Sequence, residues 1–190
     1  HLFTPAGNVH TQDKLHVPQI QREEWGIRPG KKVFVFDTPL ARVAMQIGYD
    51  IEYPEVSRLL ALAGVELILV PFNTEEQRAY QRVRFTAQAR AVENSLYVAL
   101  AGNVGDVPFW SPLLTYSQSA ILTPSDFAFP TNATATEATA DAETFIIADL
   151  DLTSLVQHRE LGKTRPLQDR RLDLYDLRAK GSMLQVIRTE

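Results

Sequence analysis

Residues 43 to 72 constrain the fold more than any other stretch. Val43 to Ile47 is apolar, Gly48 breaks it, and Pro54 suits the first turn of a helix. Val56, Leu59, Leu60 and Ala63 then recur at the spacing of one helical face, and Gly64 ends the run. Glu66 to Phe72 (Glu-Leu-Ile-Leu-Val-Pro-Phe) follows as a strand apolar on both faces, the pattern of a buried parallel strand. Strand, helix and strand at this length predict a βαβ unit, hence an α/β fold.

The flanking sequence extends that unit. Lys32 to Asp37 reads as a strand, and with Leu40 to Ile47 as a hairpin-like pair. Upstream, His1 to Thr4 and Val9 to Leu15 are extended, separated by the turn Pro5-Ala6-Gly7-Asn8. A short helix is expected around Gln21 to Trp25. Downstream, Thr74 and Gln77 have capping-box spacing and predict a helix to about Asn94. Tyr80, Val83, Ala87 and Ala91 face inward, and Arg78, Arg82, Arg84 and Arg90 make a solvated face. Strands are expected at Leu96 to Gly102, Ser117 to Thr123 and Glu143 to Leu150, and a helix at Leu152 to Leu161. A loop carries Pro108, Trp110 and Pro112. The Ala- and Thr-rich stretch Thr131 to Ala142 is expected as an exposed hairpin or loop. Residues 165 to 190 form a charged tail that packs on a partner subunit or on another surface of its own domain.

Composition narrows the function. The chain has 190 residues, 45% of them hydrophobic, which supports one domain over 1–190. A net charge of -4 gives no footprint for nucleic acid, and no run is long enough to span a membrane. There is no cysteine, so disulfides, thiolate metal sites and a cysteine nucleophile are excluded from this chain. That absence fits a reducing compartment, and the expected location is cytoplasmic. The four histidines are scattered without metal-ligand spacing, so no metal and no cofactor is expected. The chain begins at His1, inside an extended segment, so the domain is expected to lack its N-terminal part.

A set of motifs in order carries a family resemblance. Lys14-Leu15-His16-Val17 is followed by Glu23-Glu24-Trp25 and Pro29-Gly30, then by Ile47-Gly48-Tyr49-Asp50-Ile51-Glu52-Tyr53-Pro54-Glu55. Glu66 to Pro71, Ala89-Arg90-Ala91-Val92-Glu93-Asn94 and Ala101-Gly102-Asn103-Val104-Gly105 continue the series. Together they resemble the carbon-nitrogen hydrolase (nitrilase) superfamily, and Asp169 to Tyr175 resembles a bacterial branch sometimes joined to an acetyltransferase domain. The resemblance implies an α-β-β-α sandwich and a Glu-Lys-Cys triad acting on a small amide or nitrile. It places Lys14 at the family lysine and Gly48 at the family cysteine. Glu23 takes the position of a supporting glutamate, with Glu24 nearly as good a match. The Tyr49 N–H would stabilise an oxyanion, and Asn103 lines the pocket or caps a loop. Asp50 has the character of a structural residue, and Glu55 with Arg90 that of a buried ion pair holding the turn. The triad's glutamate lies upstream of the lysine, outside this chain.

Two functions compete on these residues. One is a carbon-nitrogen hydrolase silenced by the glycine. The other is a non-catalytic module on the same scaffold that binds a small amide, nitrile or carboxylate or serves assembly. The family implies a homo-oligomer, a dimer or larger, built through the helices that flank the turn.

Overall fold

The central unit forms as expected, and a computed structural model describes residues 1–105 and 115–189. In chain order, β1 (Leu2–Phe3) and β2 (Val9–His10) make an antiparallel ribbon, and α1 (Gln19–Glu23) is a short helix. β3 (Val33–Asp37) and β4 (Arg42–Met45) pair antiparallel, Val35 opposite Ala44. A 3₁₀ turn (Gly48–Glu52) leads into α2 (Pro54–Leu62), β5 (Leu67–Phe72), α3 (Gln77–Asn94) and β6 (Tyr97–Gly102). β7 (Ala120–Leu122), β8 (Thr134–Glu137), α4 (Leu152–Leu161) and β9 (Leu184–Arg188) complete the described elements.

Among the described residues the large sheet has seven strands in the order β8-β7-β6-β5-β4-β3-β9. β4, β5 and β6 run parallel, joined by α2 and α3, so the turn carrying Gly48 follows the carboxyl end of β4. That end of a parallel α/β sheet is where ligand sites form. The core lies between the sheet and the two helices, with Val35, Ala44, Ile68, Val70 and Val98 from strands against Val56, Leu60, Val83 and Ala87.

β5 is less enclosed than its sequence suggested: Ile68, Val70 and Phe72 are buried, Leu67 and Leu69 half-buried, and Pro71 exposed. One sheet face therefore carries most of the burial, because α2 and α3 cover that face.

Several expectations are corrected. Thr74 does not cap α3; its hydroxyl donates to the Tyr116 carbonyl (2.6 Å), and the helix begins at Gln77 after Glu76. The basic face of α3 divides: Arg78 and Arg82 are exposed, whereas Arg84 reaches Glu137 (3.2 Å) and Arg90 is buried. Arg90 does not pair with the exposed Glu55. Its acidic partner is Glu93 (2.9 Å), because the guanidinium turns inward to the backbone of the 3₁₀ turn. Glu143 to Leu150 is not a strand, and Phe145 and Ile147 are 83% and 78% exposed. The free edge of β7 is taken instead by β8, from the polar Ala- and Thr-rich stretch. The tail does pack on its own domain: β9 adds to the sheet parallel to β3, Val35 opposite Val186. The expected loop around Pro108, Trp110 and Pro112 lies outside the described residues. No helix among the described residues is long and apolar enough to cross a membrane.

Candidate active site

The site is assembled around one buried carboxylate. Asp50 accepts hydrogen bonds from the backbone N–H groups of Leu15 (3.1 Å), His16 (2.7 Å) and Ile47 (3.1 Å). The His16 ring Nδ1 lies 3.0 Å from the same carboxylate, and the ring stacks on Tyr53 at 3.7 Å. These bonds fasten the segment carrying Lys14 to the turn carrying Gly48, 34 residues later in the chain.

Further contacts hold both partners. The Gly30 N–H donates to the Lys14 carbonyl at 2.7 Å. A Cβ on Gly30 would lie 2.6 Å from the Asp13 Cβ, so only glycine fits that approach. On the other side, Arg90 donates to the carbonyls of Ile51 and Glu52, both at 3.1 Å. Beneath the turn the Ser57 hydroxyl donates to the Gln46 side chain (2.7 Å).

Gly48 has φ +53°, the left-handed conformation that strand-to-helix elbows impose on their central residue. A Cβ built there would meet only the Phe72 Cβ, at 4.0 Å. The backbone thus has the shape of an elbow, and the space for a side chain is open. Tyr49 follows in the first turn of the 3₁₀ segment, where backbone N–H groups lack partners within the helix.

Lys14, Gly48, Tyr49 and Asn103 line one cavity of about 630 Å³. Lys14 Nζ donates to Gln21 Oε1 at 2.9 Å. Burial pushes the Lys14 pKa below an ordinary lysine's 10.5, and the Asp50 charge opposes that shift. Asn103 is anchored through its backbone, its N–H donating to the Phe72 carbonyl (3.1 Å) and its carbonyl accepting from the Ser117 hydroxyl (2.7 Å). Glu23 is not brought to this cavity. It is exposed on α1 and accepts from the Gln19 amide at 2.9 Å. The helical period explains this: Gln21 faces the cavity, and a residue two positions on points about 200° away.

Sequence reasoning missed Gln21 and Glu52. Glu52 lines the cavity with a side chain 19% exposed, 3.8 Å from Arg82. Its pKa is raised above the ordinary 4.5, first by burial, with Arg82 opposing. The available signal was a second carboxylate, two residues after Asp50, on the same short turn. No group of three or more His, Asp or Glu able to hold a metal occurs among the described residues.

Chemically, the cavity offers a partly desolvated ammonium and a backbone donor beside an elbow. That pairing polarises a carbonyl or nitrile and stabilises negative charge on it. It offers no thiol.

Known proteins share this architecture. The carbon-nitrogen hydrolase family profile matches residues 1–160. A probable hydrolase of Bacillus subtilis (strain 168), YhcX, is 42% identical over 181 residues, covering 95% of this chain and 35% of that protein. An omega-amidase of Bos taurus is 29% identical over 191 residues, covering 95% of this chain and 64% of that one. Among solved structures, a carbon-nitrogen hydrolase from Helicobacter pylori G27 matches with a TM-score of 0.70 at 21% identity, over 85% of this chain and 58% of that chain. Nit3 of Saccharomyces cerevisiae, a member of branch 10 of the nitrilase superfamily, matches at 0.65 and 26% identity, over 80% and 53%. The chain spans about a third of the bacterial relative and under two thirds of the omega-amidase. With five sixths of its length matched by one family profile, this chain belongs to the carbon-nitrogen hydrolase family.

Proposed function

We propose that Gly48 stands at the family's nucleophile position, and that this chain binds a small amide, nitrile or carboxylate without hydrolysing it. The observation that carries the reading is the elbow itself: φ +53° at Gly48, room for a Cβ, and Lys14 lining the same cavity. Amide chemistry is supported by the omega-amidase relative. Lys14 and the Tyr49 N–H hold the carbonyl oxygen, and Asn103 borders the ligand. The chain has no cysteine to form the covalent intermediate that the Glu-Lys-Cys triad of the family resemblance implies. Removing such a nucleophile costs roughly 10⁴ to 10⁶ in rate in comparable catalytic units.

Ammonia release from a panel of short amides and nitriles tests this. The expected result is none above background, together with calorimetric binding of butyramide that Lys14→Ala abolishes. Turnover that depends on Lys14 would overturn the silent reading, and turnover untouched by Lys14→Ala would overturn the site. The same scaffold is proposed to assemble as a dimer or larger. Support comes from apolar side chains left exposed on the helices beside the elbow: Leu62 on α2, and Phe85 and Val92 on α3.

A further inference from the structure

The proposed amide site has a second end. Its wall contains three carboxylates, Glu52, Glu75 and Glu76, and two cations, Lys14 and Arg82. Lys14 is committed to the polar end through Gln21. Arg82 sits 3.8 Å from Glu52, but its own side chain is 62% exposed, so water screens most of that pairing. Glu76 faces Arg78 at 3.8 Å, with both side chains exposed.

Glu52 differs from the other two acids. It is mostly withdrawn from water, yet its carboxylate accepts no hydrogen bond among the described residues. A desolvated carboxylate with only a loose ion pair gains most from a ligand that brings both charge and N–H donors. Its backbone is fixed, since its carbonyl accepts from Arg90. It lies four residues beyond Gly48 on one 3₁₀ turn, a rise of about 8 Å at 2.0 Å per residue. A short aliphatic ligand spans that distance.

We infer that Glu52 is a specificity-determining residue, selecting amides whose far end carries an ammonium group over neutral or carboxylate-bearing ones. This rests on the cavity being an amide site, as proposed above. Lys14 takes the carbonyl, the aliphatic chain crosses the cavity, and the ammonium meets Glu52, with Glu75 and Glu76 adding a favourable field at the rim.

The test is calorimetry on the whole chain with three ligands of one length: pentanamide, 5-aminopentanamide and 5-amino-5-oxopentanoate. The ammonium ligand is expected to bind about tenfold tighter than the neutral amide at low salt, in line with a hydrogen bond to a charged group in a partly exposed site. The carboxylate ligand is expected to bind more weakly than either. In Glu52→Gln the ratio of the first two dissociation constants falls to about one, whereas Glu160→Gln, at an exposed acid on α4 outside the cavity, retains it; circular dichroism checks that both variants are folded. Equal affinities for pentanamide and 5-aminopentanamide, or tighter binding of the carboxylate, overturn the inference and leave the amide site standing. Failure of all three ligands to bind overturns the amide site, and the inference with it.

Discussion

At the scale of single residues, Asp50 explains why Lys14 and Gly48 share a cavity. Its carboxylate satisfies three backbone N–H groups from two segments. Asp50→Ala leaves those half-buried donors unpaired, and is expected to cost about 2–4 kcal/mol, read as a lowered urea midpoint. A loss under 1 kcal/mol would contradict that role. Lys14 gives a pH prediction with a definite sign. Its folded pKa lies below 10.5, so its charge is lost at lower pH than in a free lysine. Affinity for butyrate is expected to fall as pH rises from neutrality, with the fall beginning below 10.5. The same shift makes the chain more stable as pH rises between the folded value and 10.5, because the unfolded chain then binds more protons. The motif made Asp50 readable as structural. Its partners were not readable, because a contact between residues 15 and 50 leaves no local trace. Glu23 was misplaced for a related reason: loop register decides which residue of a short helix faces inward, and Gln21 won.

At the scale of elements, periodicity served well where one face is buried and poorly at sheet edges. α4 runs from Leu152 to Leu161 as expected, started by Asp151, whose side chain accepts from the Thr153 and Ser154 N–H groups. Edge strands are chosen by which neighbour offers free backbone groups, so β8 formed from a polar stretch while the more apolar Glu143 to Leu150 stayed outside the sheet. The junction of α3 and α4 shows how far residue types can mislead. Ser95 Oγ lies 3.2 Å from His158 Nε2, and His158 Nδ1 lies 3.3 Å from Asp126. Serine, histidine and aspartate in line suggest a hydrolytic triad, but Ser95 is 1% exposed and borders none of the described cavities. It ends α3 in the left-handed conformation, φ +49°, and the array fastens that end to α4. Ser95→Ala is expected to cost about 1–2 kcal/mol in stability and to leave butyramide binding unchanged. Loss of binding without loss of stability would revive the triad.

At the scale of the whole molecule, the βαβ core was legible from its apolar spacing, and the order of the outer strands was not. β9 joins β3 across about 150 residues of chain, a pairing set by the open edge rather than by any local signal. A single chain of 21.3 kDa leaves Phe85, Phe145 and Ile147 in water, and such exposed side chains favour association. Light scattering is expected to give a mass above 21.3 kDa that rises with concentration, and a monodisperse species at 21.3 kDa would contradict the proposed assembly.

The left-handed backbone at residue 48 carries an evolutionary consequence. Any side chain there bears about 1–2 kcal/mol of strain, which glycine relieves. Against a total stability of about 5–15 kcal/mol, that relief is visible to selection. On the proposed assignment of residue 48 to the family's nucleophile position, one base separates a cysteine codon from a glycine codon, so a lineage released from the chemistry gains stability by taking glycine. On the same assignment the reverse change is sterically open, since a Cβ at residue 48 meets only the Phe72 Cβ at 4.0 Å. Selection for turnover would have to outweigh the lost stability, which makes the step easy to take and slow to reverse.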